Sequence, residues 1–297
     1  MTDLEKLANF TEQDIINAAD DRWSRISKHC HRQNQTPKLY LVGGQPGAGK
    51  STTISKIEDY MQGNCVVINL DDYRALHPNA REIYEKGAKG SDDYSAYTNP
   101  FMREVGEKLI DKAIENGYNV ILERTLSSTD TVSKQLDKFN KNGYELNLYV
   151  VTCNKNHSMS SVEQRYLQQK VDFEKDKEFQ EPPRKISKEF QKECYENLGK
   201  STQTLAQKYD FKDIEIIYRS LQYKQHCVYD KNDKTKLHNE EKIEKLISRI
   251  VNGKNKAITN EELNSISKET DKAVRNIFKQ KEENSRENKK ESNKEIL

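Results

Sequence analysis

KLYLVGGQPGAGKS, residues 38–51, is the stretch whose reading decides the fold. Leu39, Leu41 and Val42 form a short apolar run of strand type, which Gly43 and Gly44 interrupt. From there Gly44-Gln45-Pro46-Gly47-Ala48-Gly49-Lys50-Ser51 fills every fixed position of G-x-x-x-x-G-K-[ST]. Glycines lack a Cβ, so backbone N–H groups can turn inward and meet an anionic phosphate closely. A helix that starts near Lys50 aims its positive dipole end at the same place. Lys50 then reaches the β- and γ-phosphates, and the Ser51 hydroxyl holds Mg²⁺. A turn that merely closes a βα unit has no need of the complete motif, so the stretch implies nucleoside triphosphate binding.

Outward from this unit the pattern alternates. On the N-terminal side, Thr11 and Asp14 have capping-box spacing, and Ile15, Ile16, Ala19, Trp23 and Ile26 recur at intervals of three and four. This predicts an amphipathic helix over 12–28. On the C-terminal side of the loop helix, Cys65-Val66-Val67-Ile68 reads as a buried strand ending in Asn69-Leu70-Asp71-Asp72. The polar stretch 74–97 reads as a loop with a short helix, and Asn99-Pro100 opens a helix that Gly117 terminates. A strand over 118–122 ends in Glu123-Arg124-Thr125. Further helices are expected over 131–140, 160–170 and 186–209, with strands around Leu148 and Ile216. The charged stretch 171–183, ending in Pro182-Pro183, reads as mobile.

The alternation βαβαβα with short connections implies an α/β fold, a P-loop kinase-type parallel sheet with helices on both faces, plus a helical C-terminal extension. We divide the chain into an N-terminal helical segment (1–37), a kinase core (38–222), a short strand and helical extension (223–278) and a charged tail (279–297). In the extension, His226 to Tyr229 suggest an antiparallel strand, and Ile243, Leu246, Ile247, Ile250 and Val251 a clear amphipathic helix. A weaker helix is expected over 258–278. The tail is mostly Lys, Glu, Asn and Ser and cannot offset its own ordering entropy.

Hydrophobic and charged residues each make up 33% of the chain, which concentrates the expected apolar core in the first two-thirds. A net charge of +2, without a basic stripe interleaved with aromatics, gives no reason to expect nucleic acid as partner. No apolar run approaches membrane-spanning length, and MTDLEKLANF lacks a basic segment followed by an apolar one. The five cysteines are scattered with no C-x-x-C pair, as expected of reduced thiols in a cytoplasmic protein. His29-Cys30-His31 is no metal site by spacing, because adjacent side chains diverge.

A phosphate loop says what is bound, not what is done, so the other polar groups must choose the reaction. In open parallel sheets, ligand-facing residues lie just past the carboxyl ends of strands, where Asp71 falls. A carboxylate there can accept the proton of an attacking hydroxyl. Asp72 is its rival for that role or for magnesium, and a helix cap is the plain alternative for either. Glu123 and Thr125 stand at the mouth of the third strand, suited to a hydroxyl-rich substrate. Glu107, beside Lys108, reads by itself as a solvated helix residue. Phosphoryl transfer also needs positive charge on the equatorial oxygens, and Arg165 and Arg184 could supply it from a closing lid.

GGQPGAGKS, the strand with Asp71, HPN at His77 to Asn79, GYNVILERT at Gly117 to Thr125, Ser128-Thr129-Asp130 and QRY at Gln164 to Tyr166 together resemble the zeta toxin family of bacterial toxin–antitoxin modules. The resemblance covers residues 38–219. It implies a P-loop kinase that phosphorylates the 3′-hydroxyl of the amino sugar of UDP-N-acetylglucosamine and so depletes a cell-wall precursor. Gly44, Gln45, Pro46, Gly47, Ala48, Gly49, Lys50, Ser51 and Thr52 would bind ATP, Ser51 with Mg²⁺. Asp71 would be the base, Glu107, Glu123 and Thr125 would face the sugar nucleotide, and Arg165 and Arg184 would be the lid arginines. A small helical antitoxin would block the ATP site, with the surface around Trp23 as its expected footing. The chain departs from the family pattern at Asn69, where an acidic residue is usual, and at Ser127, where a basic one is. Its stretch between Arg165 and Arg184 is also longer and more charged. Two other readings stay open: a kinase of a different hydroxyl, and a nucleotide-gated binding module.

Overall fold

The computed structural model describes residues 2–32, 34–87, 91–178, 180–233 and 243–253. The helix expected over 258–278 and the tail 279–297 lie outside the described residues. The strands are β1 Lys38–Gly43, β2 Val66–Asn69, β3 Val120–Arg124, β4 Glu145–Thr152, β5 Asp213–Arg219 and β6 Gln225–Asp230. The helices are α1 Asp3–Leu7, α2 Glu12–Ile26, α3 Lys50–Tyr60, α4 Ala80–Lys86, α5 Ser91–Asn116, α6 Asp130–Lys141, α7 Lys155–Lys175, α8 Lys188–Lys208 and α9 Ile243–Asn252, with a 3₁₀ helix at Leu70–Leu76.

One sheet holds all six strands in the order β2-β3-β1-β4-β5-β6, parallel except for β6, which runs antiparallel to β5. Parallel neighbours need helical crossovers of one hand, and these place helices on both faces. Alternation along β1 divides the core accordingly. Leu39 and Leu41 face a large cluster with Phe101, Leu109, Leu136, Phe139, Leu198 and Leu246 of α5, α6, α8 and α9. Tyr40 and Val42 face a smaller cluster with Ile54 and Ile57 of α3. No helix among the described residues is long and apolar enough to cross a membrane. All five cysteines are free.

Three segments differ from the expectation. α5 begins at Ser91 and carries Pro100 in its interior. Proline removes one helical N–H and normally interrupts a helix. Here the preceding turn is held from outside: Tyr94 and Thr98 are buried, and the Arg74 guanidinium donates to Ser95 O at 3.0 Å. The stretch after Lys170 is ordered to Lys175 within α7, because Val171 and Phe173 are buried. Phe173 meets Tyr84 edge-on at 5.3 Å. The third is α1, whose short capped turn was not anticipated. It is fastened by His77 and Asn79, since Asn79 Nδ2 donates to Leu7 O at 2.8 Å and the His77 ring lies 3.3 Å from Ala8 O.

α2 carries the expected capping box at Thr11 and Asp14. Trp23 is half-buried. Its ring stacks on Tyr118 at 5.8 Å, with the planes 7° apart, and packs against the main core. Loss of an aromatic pair and its buried area costs about 1–3 kcal/mol. Trp23→Glu should therefore lower unfolding free energy by that order in urea melts, and an unchanged midpoint would show that the stack contributes nothing.

Candidate active site

The loop between β1 and α3 is closed by left-handed backbone that only glycine adopts without strain. Gly47 and Gly49 have φ of +73° and +92°. A Cβ at Gly47 would lie 2.5 Å from Ser158 O, and one at Gly49 2.8 Å from Arg219 Cδ. Neighbouring elements clamp the loop from outside. Gln45, fully buried, donates Nε2 to Cys153 O at 2.7 Å. Ser158 Oγ of α7 donates to Pro46 O. Arg219, at the end of β5, donates Nη2 to Gly47 O at 2.6 Å and to Ser161 Oγ at 3.0 Å. Gln225 of β6 donates Nε2 to Gly49 O at 3.0 Å. Ala48, within the loop, is fully buried.

Lys50 is 7% exposed, and its ammonium donates to Gly44 O at 2.9 Å and Gln45 O at 3.3 Å. Its Nζ also lies 3.4 Å from Glu123 Oε1, so the motif lysine and the end of β3 share one pocket of charge. Ser51 and Thr52 are exposed on the first turn of α3.

Register brings the acidic groups to the same edge. Glu123 pairs with Val42 of β1 on one side and with Asn69 of β2 on the other. Asn69 then caps the 3₁₀ helix: its Oδ1 accepts from Asp71 N at 3.3 Å, and its Nδ2 donates to Asp72 Oδ1 at 2.9 Å. An amide here can do both, whereas a carboxylate could not donate. Asp71 Oδ1 is held by Arg184 in a close ion pair and by Arg74 Nη2 at 3.2 Å. Burial raises the Asp71 carboxyl, but these two guanidinium groups outweigh it and hold the group well below the usual carboxylate range. Asp72 points the other way, toward Arg22 of α2, with 3.7 Å between Oδ2 and Nη2.

Arg165 of α7, an exposed residue, lies within the electrostatic reach of this cluster. Crowding by surrounding atoms and the charge of Arg184 lower its pKa, while the fields of Asp71, Glu123 and Asp72 raise it. Arg184 follows Pro182 and Pro183, both buried, and its backbone N–H is held by Gln169 Oε1 at 3.3 Å. Thus Lys50, Asp71, Glu123, Arg165 and Arg184 meet in one field beside the loop. Thr125 stands just past β3, its Oγ1 3.5 Å from Ser127 Oγ. Glu107 is placed apart. It faces α6, accepting from Gln135 Nε2 at 2.6 Å and Lys138 Nζ at 2.8 Å. Its link to the cluster runs through Gln135, whose Oε1 accepts from Arg124 Nη2 at 2.7 Å.

Four contributors escaped the sequence reading: Arg22, Arg74, Arg219 and Gln225. Arg219 ends a parallel strand, so the rule that singled out Asp71 could have found it. The other three sit on helix or edge-strand positions with no local signal. Among the described residues no group of three or more His, Cys, Asp or Glu side chains forms a metal cage. Magnesium does not require one, since it binds through one or two protein oxygens, phosphate oxygens and water. An exposed hydroxyl at Ser51 next to the phosphate loop, with carboxylates at the ends of β2 and β3, fits that donor set.

The family model for Zeta toxin matches residues 20–243. Toxin zeta of Streptococcus pyogenes is 30% identical over 166 residues, 55% of this chain and 55% of that protein, so the chain spans about half the length of that relative. Toxin PezT of Streptococcus pneumoniae serotype 4 (strain ATCC BAA-334 / TIGR4) is 30% identical over 205 residues, 69% of this chain and 76% of that protein. A solved structure of the PezAT chromosomal toxin–antitoxin system of Streptococcus pneumoniae superposes with a TM-score of 0.70 over 91% of this chain and 99% of that one. At 23% identity that likeness shows a shared fold. With the family model spanning most of the chain, the conclusion is direct: this protein belongs to the zeta toxin family.

Proposed function

We propose that this chain is a kinase that moves the γ-phosphoryl group of ATP to the 3′-hydroxyl of the amino sugar of UDP-N-acetylglucosamine, and that an antitoxin holds it in check. The observation that carries the reading is the pairing of Glu123 with Lys50 of the loop and of Asp71 with Arg184 at neighbouring strand ends, with Arg165 within their field. Family membership supports the toxin role, and the PezAT neighbour, a toxin–antitoxin system by its description, supports the partner.

In this reading the loop N–H groups and Lys50 receive the phosphates. Ser51 would hold magnesium, which when bound neutralises charge across the phosphate oxygens. Glu123 and Thr125 orient the sugar nucleotide. Glu107 contributes through Gln135 and Arg124 by keeping the end of β3 in place. Asp71 accepts the hydroxyl proton as the new P–O bond forms and the bond to the ADP oxygen breaks. Its depressed pKa keeps it ionised. Arg165 and Arg184 neutralise the equatorial oxygens. Ser127 favours a second reading of the acceptor. A hydroxyl, with its own backbone carbonyl held by Asn197 Nδ2 at 2.9 Å, stands where the family usually has a cation. Another sugar nucleotide would then be the preferred substrate.

Purified chain with ATP and UDP-N-acetylglucosamine should yield ADP and a phosphorylated sugar nucleotide, detected by mass spectrometry. Asp71→Ala should cut turnover by about 10²–10⁴-fold while leaving the fold intact. Turnover only with other UDP-sugars selects the second reading. No turnover across the panel removes both.

Asp72 gives a separate check on the site's electrostatics. Burial raises its carboxyl; Arg22 pulls it down, and Glu123, Glu181 and Asp71 push it up, leaving it at about 6. The unfolded value is about 3.9. An acid whose folded pKa is the higher one loses stability as pH rises through that window, and none below it. Asp72→Asn should therefore gain stability relative to the parent at pH 7.5 compared with pH 4. Urea melts at the two pH values measure this, and a gap that does not move with pH removes the assignment.

A further inference from the structure

Two large apolar side chains are exposed among the described residues, Tyr60 and Tyr223. Tyr60 ends α3, far along the helix from the loop. Tyr223 lies in the short turn joining β5 to β6, and that turn is tied to the loop at both ends. Arg219 on its near side donates to Gly47 O, and Gln225 on its far side donates to Gly49 O. Gln225 Oε1 also accepts from Thr53 Oγ1 and Lys56 Nζ, each at 3.3 Å, which fixes the hairpin to the first turns of α3.

Tyr223 itself is held in an unfavourable backbone state. Its φ is +60°, in the left-handed region that non-glycine residues seldom adopt. Strain of this kind persists only where surrounding contacts enforce it, and it gathers at ligand sites. Here Tyr223 N donates to Ser220 O at 3.0 Å and Ser220 N to Lys224 O at 2.8 Å. The residue stays 58% exposed. The ring's orientation is set from beneath: the Arg219 guanidinium carbon lies 5.1 Å from its centroid, and the His157 ring meets it at 5.1 Å with planes 76° apart. Arg219 and His157 are themselves 6% and 2% exposed, so the supports are rigid. Arg219 Nε is buried without a hydrogen-bond partner, so this guanidinium is kept for position and for the ring rather than for full pairing.

We propose that Tyr223 is the stacking platform for the base of the nucleotide whose phosphates the 44–51 loop receives. The inference rests on the nucleotide reading above and extends it to the other end of the ligand. The Arg219 guanidinium touches both the ring and the Gly47 carbonyl, so the ring stands within one side chain of the loop. An exposed aromatic face offers stacking to any base, worth about 1–3 kcal/mol. It favours a large purine over a pyrimidine by area and does not tell adenine from guanine. Nucleobase choice at this site would therefore be weak.

The test is calorimetric titration of ATP, GTP and tripolyphosphate against the full chain, Tyr223→Asn and Tyr223→Phe. Asparagine tolerates the left-handed φ, so the turn is preserved while the ring is removed. Tyr223→Asn should bind ATP and GTP roughly 5- to 100-fold more weakly. Tripolyphosphate, which has no base, should bind it as it binds the parent, and Tyr223→Phe should keep parental affinity for all three. ATP affinity unchanged in Tyr223→Asn overturns the platform. So does an equal loss for tripolyphosphate, which would make the ring a mere prop for the loop. If the parent binds neither ATP nor GTP, the nucleotide reading fails first and this one with it.

Discussion

Parallel pairing of β1 with β3 on one side and β4 on the other is the constraint from which the site follows. Because the three strands run the same way, Gly43, Arg124 and Val150 reach the same edge of the sheet. Each connection must then leave from that edge, and the polar ends of five parallel strands converge there. The glycine loop, Asp71, Glu123, Gln45's partner Cys153 and Arg219 are neighbours for this reason alone. No local sequence signal brings residues 47 and 219 together; strand order does. The burial behind this is ordinary core packing, with Leu39, Leu41, Leu122 and Leu148 all fully enclosed.

Much of the fold could be read from the chain because local and global preferences agree in it. β1 and the loop are written in apolar residues and glycines, and Thr11 and Asp14 make the box that their spacing announced. Gly117 ends α5 at a φ of +63°. What escaped the reading was fixed by partners distant in sequence. Pro100 looked like a helix start because proline is common there. It lies in the interior because Arg74, on another element, anchors the turn before it. Phe173 sat in a stretch dominated by charge, and its neighbour Tyr84 lies on α4.

The site was legible in its anions and in its loop, and less so in its cations. Asp71, Glu123 and Lys50 were visible because strand ends and a fixed motif point to them. Glu107 was visible only by resemblance, and its contacts lie with α6. Arg74 and Arg22 gave no signal, since an arginine on a helix is by default a solvated one. Each acquires meaning only from the carboxylate it faces. Asn69 shows the opposite case. A departure from the family pattern has a local use, an amide that caps one residue and donates to the next.

The double grip of Arg74 and Arg184 on one oxygen of Asp71 has a consequence for timing. A guanidinium has a fixed number of N–H groups, and those spent on the carboxylate are not available to a phosphate. Arg74 is buried and anchored to α5 as well, whereas the Arg184 side chain is the more exposed of the two, 17% against 8%. Whatever anion draws Arg184 aside leaves Asp71 with one cation instead of two and makes it the stronger proton acceptor. On the reading proposed above, a phosphate that drew Arg184 aside would also leave the carboxylate more basic, so that occupancy and basicity would be a single event.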